Sequence, residues 1–186
     1  MVCPGQGSAD FQLVAELAAI DARLQPVVAE LDGRCRERFS LSFTEYCRNP
    51  EQPVTAEAAF CYQQLAIYLG AVACGQRLLA DGCKPDCVIG HSVGEIAALA
   101  LGEAISVEEG LEAVRRRAEV ILDAIPQTAG RMLAVEASRE RAIELIDGVP
   151  EVYIAVVNHD RQAVLAGAGG KLNEVEAQAR RADFAQ

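Results

Sequence analysis

Positive charge is in short supply. Lys and Arg total 17 against 27 Asp and Glu, a net charge of -10. Proteins that grip nucleic acid displace phosphate counterions with a basic stripe, and none is present here. The same shortage disfavours an anionic membrane surface. No uninterrupted apolar run reaches the roughly 18 residues of a membrane span. The opening residues, Met1 to Ser8, lack the basic and apolar regions of a signal peptide, so a cytoplasmic protein is expected. Histidine is limited to His91 and His159. Cys83 and Cys87 are spaced C-x3-C, but no second Cys/His pair completes a zinc set, and no metal is expected. The seven cysteines are odd in number and sit mostly in apolar stretches, such as Ala59-Phe60-Cys61-Tyr62. Buried thiols in a reducing compartment are the expectation. Internal repeats and low-complexity segments are also lacking.

What remains is ordinary globular material. The 186 residues are 51% hydrophobic and 24% charged, enough for a core in one or two domains. Leu13, Leu17, Ile20, Leu24, Val28 and Leu31 recur at helical spacing, with a kink expected at Pro26. Residues 34–53 read as loop plus a short helix around Phe43. Thr55 caps a long helix that reaches about Leu79, where Asp81-Gly82 stops it. A short strand is expected over Pro85 to Gly90, a helix through Glu95, Ala98 and Leu101, and another from Val107 to Ile125 capped by Ser106. A strand set between helices is the pattern of an α/β layer. Beyond Ala129-Gly130 the order becomes βαββα: a strand over 132–136, a helix from Ser138, strands over 152–157 and 162–166, and a helix over 172–181. Asn158-His159-Asp160-Arg161 is read as the hairpin turn.

Gly90-His91-Ser92-Val93-Gly94 matches G-x-S-x-G between an expected strand and an expected helix, the context of a nucleophile elbow. A sharp turn there pushes the serine outward, and the glycines remove Cβ clashes. The helix that starts at the turn directs its N–H groups and positive dipole end at the hydroxyl. Negative charge developing on an acyl carbonyl is stabilised by the same donors. Two further features stand out: the Gly-rich turn Pro4-Gly5-Gln6-Gly7-Ser8, and the cationic run Arg115-Arg116-Arg117 in an otherwise acidic chain.

Together, the G-Q-G-S turn, the G-H-S-x-G-E elbow and the downstream arginine resemble the malonyl-CoA:acyl carrier protein transacylase family, including the acyltransferase domains of polyketide synthases. The resemblance implies an α/β fold: an acyltransferase-type, α/β-hydrolase-like layer over residues 1–128 and an incomplete ferredoxin-like subdomain over residues 129–186. It implies Ser92 as the acyl-accepting nucleophile, with Gln6 and the Val93 amide at the oxyanion hole. Arg117 matches the arginine that pairs with the malonyl carboxylate, a role suited to a guanidinium fork whose charge does not titrate away. His91 lines the site, and Asn158 and His159 lie on a hairpin that overhangs it in the family. The implied reaction moves malonyl from malonyl-CoA to the phosphopantetheine thiol of an acyl carrier protein. No cofactor is implied, since malonyl-CoA and phosphopantetheine enter as substrates.

The family's catalytic histidine follows the ferredoxin-like subdomain and is expected beyond residue 186. Three readings stand: a fragment of a longer enzyme, one half of a split enzyme complemented by another chain or a dimer, and a non-catalytic module that binds acyl carrier protein or coenzyme A. A serine hydrolase or thioesterase shares the elbow but needs no arginine for a free carboxylate.

Overall fold

The computed structural model describes residues 1–20, 22, 25–124 and 130–181. The chain divides into two units, Met1–Leu122 and Asp123–Gln186. The boundary expected after residue 128 falls among residues 125–129, outside the described residues.

The first unit begins with β1 (Val2–Cys3), α1 (Phe11–Ile20), α2 (Gln25–Phe39) and α3 (Phe43–Arg48). It continues with α4 (Ala56–Ala80), β2 (Ile89–Gly90), α5 (Gly94–Leu101) and α6 (Val107–Ala124). β1 and β2 pair in parallel, Val2 opposite Ile89 and Cys3 opposite Gly90. The strand expected over residues 85–90 is shorter, covering Ile89–Gly90. The single kinked helix expected around Pro26 is instead two helices. Pro26 lies in the first turn of α2, where its missing N–H costs no helical hydrogen bond. α2 runs on to Phe39 and takes in residues expected as loop.

The caps are local and follow the sequence. Ser42 and Glu45 form a capping box on α3. The Thr55 side chain accepts from Ala58 N at 3.2 Å to start α4. Ser106 accepts from Glu109 N, and Glu109 accepts in return from Ser106 N, at the start of α6. α4 has the length and apolar composition of a membrane-crossing helix, but two thirds of that stretch is buried within the protein. It is the core helix of this unit. Tyr62, Leu65, Tyr68, Leu69 and Val72 are all at most 2% exposed, and Tyr46 stacks on Tyr62 at 4.5 Å. Cys3, Cys35, Cys47 and Cys61 are buried in the same core, Cys74 is half-buried, and Cys83 and Cys87 are exposed.

The second unit holds β3 (Gly130–Val135), α7 (Arg139–Ile146), β4 (Val152–His159), β5 (Gln162–Ala168) and α8 (Gly169–Arg181). Its antiparallel sheet has the order β3-β5-β4, so β5 is central. Leu165, Val135, Ala163, Leu172 and Val175 form a separate core with one face of the sheet against the helices. The βαββα order is the one expected. The hairpin differs: His159 pairs with Gln162, so the turn is only Asp160-Arg161. Asn158 and His159 close the strand instead of forming the turn, because the ladder continues as far as a two-residue loop allows.

Candidate active site

The elbow is built by β2, the turn at residues 91–93 and α5. Ser92 has φ +56°, a left-handed conformation that a serine adopts only under constraint. The constraint is packing. A Cβ at Gly90 would overlap the Gly94 carbonyl, and a Cβ at Gly94 would overlap the carbonyls of Pro4 and Cys3. The turn closes with hydrogen bonds from Gly94 N to His91 O and from Glu95 N to Ser92 O, both 3.0 Å. The backbone bonds of the turn leave the Val93 amide unused among the described residues. The Val93 side chain is fully buried and anchors the start of α5. Ser92 itself stays partly exposed.

The Gly-rich N-terminal turn lies against the elbow. His91 N donates to Cys3 O at 3.1 Å. A Cβ at Gly5 would come within 2.5 Å of His91 Nδ1. The Ser8 hydroxyl and amide both donate to Gly5 O, at 2.6 and 3.3 Å, and close the turn that carries exposed Gln6. The segments carrying Gln6 and Val93 are thus brought together.

α6 supplies the cation. Its three successive arginines turn by about 100° each around the helix, and each meets a different environment. Arg115 pairs along α6 itself, with Glu112 at 2.6 Å and Glu119 at 2.5 Å. Arg116 points outward, with 72% of its side chain exposed. Arg117 turns inward and is half-buried. Its Nη2 donates to Ser92 Oγ at 3.0 Å, and its Nη1 donates to Gln64 Oε1.

Gln64 is the residue that sequence reasoning missed. It lies on α4, is 1% exposed, and its Nε2 is buried with no hydrogen-bond partner among the described residues. The signal was there: a glutamine within a helix whose neighbours are almost all apolar. A buried amide with one bond unmade beside the guanidinium leaves a donor ready for an acceptor.

Asn158 and His159 belong to the second unit. Asn158 Nδ2 donates to Gln162 Oε1 at 2.8 Å, and His159 Nδ1 accepts from Arg161 N at 3.2 Å.

A partly exposed serine on a strained strand-to-helix turn, free amide donors and a guanidinium against the hydroxyl are the parts of an acyl-transfer site. Residues 1–186 match the acyl transferase domain family, and the chain belongs to that family. One relative is a component of the phenolphthiocerol/phthiocerol polyketide synthase of Mycobacterium tuberculosis. It is 30% identical over 179 residues, which are 96% of this chain and 9% of that protein. Among solved structures, FabD from Acinetobacter baumannii matches with a TM-score of 0.80 and 25% identity, over 98% of this chain and 58% of its own. A malonyl-transacylase in complex with a type II polyketide synthase acyl carrier protein matches at 0.78 and 24% identity, over all of this chain and 60% of its own. The mixed α/β architecture is the one these acyltransferase structures share. The chain spans somewhat over half the length of these two structures, and a far smaller share of the synthase.

Proposed function

We propose that this chain carries the nucleophile and the carboxylate-recognition half of a malonyl transferase that serves an acyl carrier protein. The observation that carries the reading is the 3.0 Å contact between Arg117 Nη2 and Ser92 Oγ. An acyl group bonded to Oγ with a carboxylate one carbon beyond its carbonyl puts that carboxylate within reach of the guanidinium. The fork can then bind it through two parallel N–H donors.

In the first half-reaction Ser92 Oγ attacks the thioester carbonyl of malonyl-CoA. The carbon–sulfur bond breaks, coenzyme A leaves as its thiol with the serine proton, and a malonyl ester remains on Ser92. In the second, the phosphopantetheine thiol attacks that ester, the acyl carbon–Oγ bond breaks, the malonyl group leaves as the carrier's thioester, and the thiol proton returns to Oγ. We assign stabilisation of the oxyanion in both steps to the amides of Val93 and Gln6. No acid–base side chain among the described residues of the first unit hydrogen-bonds Ser92 Oγ. We assign the base to the part of the acyltransferase fold that this chain does not span. The carrier-protein complex of the similar malonyl-transacylase supports that partner class.

The test is loading by malonyl-CoA and by acetyl-CoA, read by intact mass on the whole protein. A malonyl adduct lost in Ser92→Ala is expected. Equal loading by acetyl would remove the role given to Arg117, and thioester hydrolysis without a carrier-protein product would indicate a hydrolase.

A further inference from the structure

We infer that Tyr68 and Gly110 are a matched pair that sets the position of α6 along α4 and so holds Arg117 over Ser92. The inference rests on the malonyl-transfer reading. Both are positioning residues, since neither touches the reacting atoms.

Gln64 and Tyr68 are four residues apart on α4 and lie on one face, one turn above the other. On α6, Gly110 and Arg117 are seven apart, two turns along one face and about 10 Å of rise. The two helices therefore meet at two places. At one, Arg117 donates to Gln64. At the other, the Tyr68 hydroxyl donates to Val107 O at 2.8 Å. Val114, fully buried, lies between these places on α6.

The Tyr68 contact has no slack. Tyr68 is completely buried. A Cβ at Gly110 would overlap its hydroxyl oxygen and lie 2.8 Å from Cζ and 3.0 Å from Cε2. Glycine weakens a helix interior relative to alanine, and here it makes room for a hydroxyl. The ring cannot retreat, because the core packs around it. Burial raises the phenol's pKa, so it remains a neutral donor to Val107 O.

The ion pairs that tie α6 to α2 are softer. Arg34–Glu112 and Arg38–Glu119 bridge to α2, but both arginines are nearly half exposed, and such pairs are weak and screened by salt. A displacement of α6 by about 1 Å would break the 3.0 Å contact between Arg117 and Ser92. Misplacement on that scale is enough to cost a large part of a rate.

The experiment measures malonyl and acetyl loading of the whole protein for the wild type, Gly110→Ala, Tyr68→Phe and the double variant. Gly110→Ala should lower malonyl kcat/KM about tenfold or more and leave acetyl loading within about twofold. The double variant should recover part of the malonyl preference, because deleting the hydroxyl removes the worst overlap while the added methyl still lies 2.8 Å from Cζ. Tyr68→Phe alone retains the core ring, and it should raise the malonyl KM several-fold with kcat little changed. If Gly110→Ala does not fold, Tyr68→Phe decides. Equal losses for both acyl groups, no recovery in the double variant, or unchanged malonyl loading in Tyr68→Phe would overturn the assignment. An absent malonyl adduct in the wild type would instead sink the functional reading beneath it.

Discussion

Arg117 reaches Ser92 across 25 residues of sequence and touches its hydroxyl at 3.0 Å, with Gln64 holding the other arm of the guanidinium. A cation set this close to a hydroxyl does not act as its base. In the proposed reaction it binds a carboxylate attached to the acyl group.

Arg117→Ala should therefore reduce malonyl loading by on the order of 10²-fold and acetyl loading far less. Arg117→Lys keeps the charge but loses the planar fork, and it should recover only a minor part of the loss. Competition between the two acyl-CoA substrates, read by mass, measures the ratio directly.

Gln64→Leu removes the acceptor that orients the guanidinium. It also removes the buried Nε2 that has no partner among the described residues. A buried donor left unpaired costs about 1–3 kcal/mol, so the substitution should change the melting temperature little. Malonyl loading should nevertheless fall by about tenfold. A large loss of stability would mean that Gln64 is chiefly a core residue.

The elbow depends on a backbone contact with no room for a side chain. Gly94→Ala places a methyl against the carbonyls of Pro4 and Cys3, and it should destabilise the protein by on the order of 2–4 kcal/mol in urea unfolding. Gly33 on α2 has open space around it. Gly33→Ala should stabilise by about 0.5–1 kcal/mol. A Gly94→Ala protein as stable as the wild type would contradict the packing described here.

Alkaline pH should unfold the first unit early. Burial pushes the Cys35 and Cys47 thiols from the usual 9.0 up to about 12, and Cys61 up to about 11. From about pH 9 upward the unfolded chain sheds these protons while the folded chain keeps them. Stability is therefore fully present below pH 9 and falls as pH rises toward 12. The slope is at most about 1.4 kcal/mol per pH unit for each well-buried thiol. Urea midpoints between pH 7 and 11 should show the decline, and Cys35→Ala combined with Cys47→Ala should make it shallower.

Much of the molecule is decided locally and can be read along the chain. Thr55, Ser106 and Ser138 cap the helices expected of them because a cap hydrogen bond spans only three residues. Gly90 to Gly94 announce the elbow because the glycines its turn requires fall within five residues, although the packing that holds it comes from Cys3 and Pro4. The misjudged boundaries are those set by partners. β4 runs as far as β5 pairs with it, and α2 continues to Phe39 because its neighbours bury Leu31 and Cys35.

The elbow motif, the caps and the order of elements can be read from the linear chain, since their signals lie within a few residues of one another. The family resemblance singles out Arg117 among three consecutive arginines, but packing alone settles that Gln64 grips the guanidinium and that Tyr68 needs a glycine opposite. Those contacts link α4 and α6 over 39 to 53 residues. They exist because side chains reaching between two helices fix their faces against each other, a relation that no local pattern encodes.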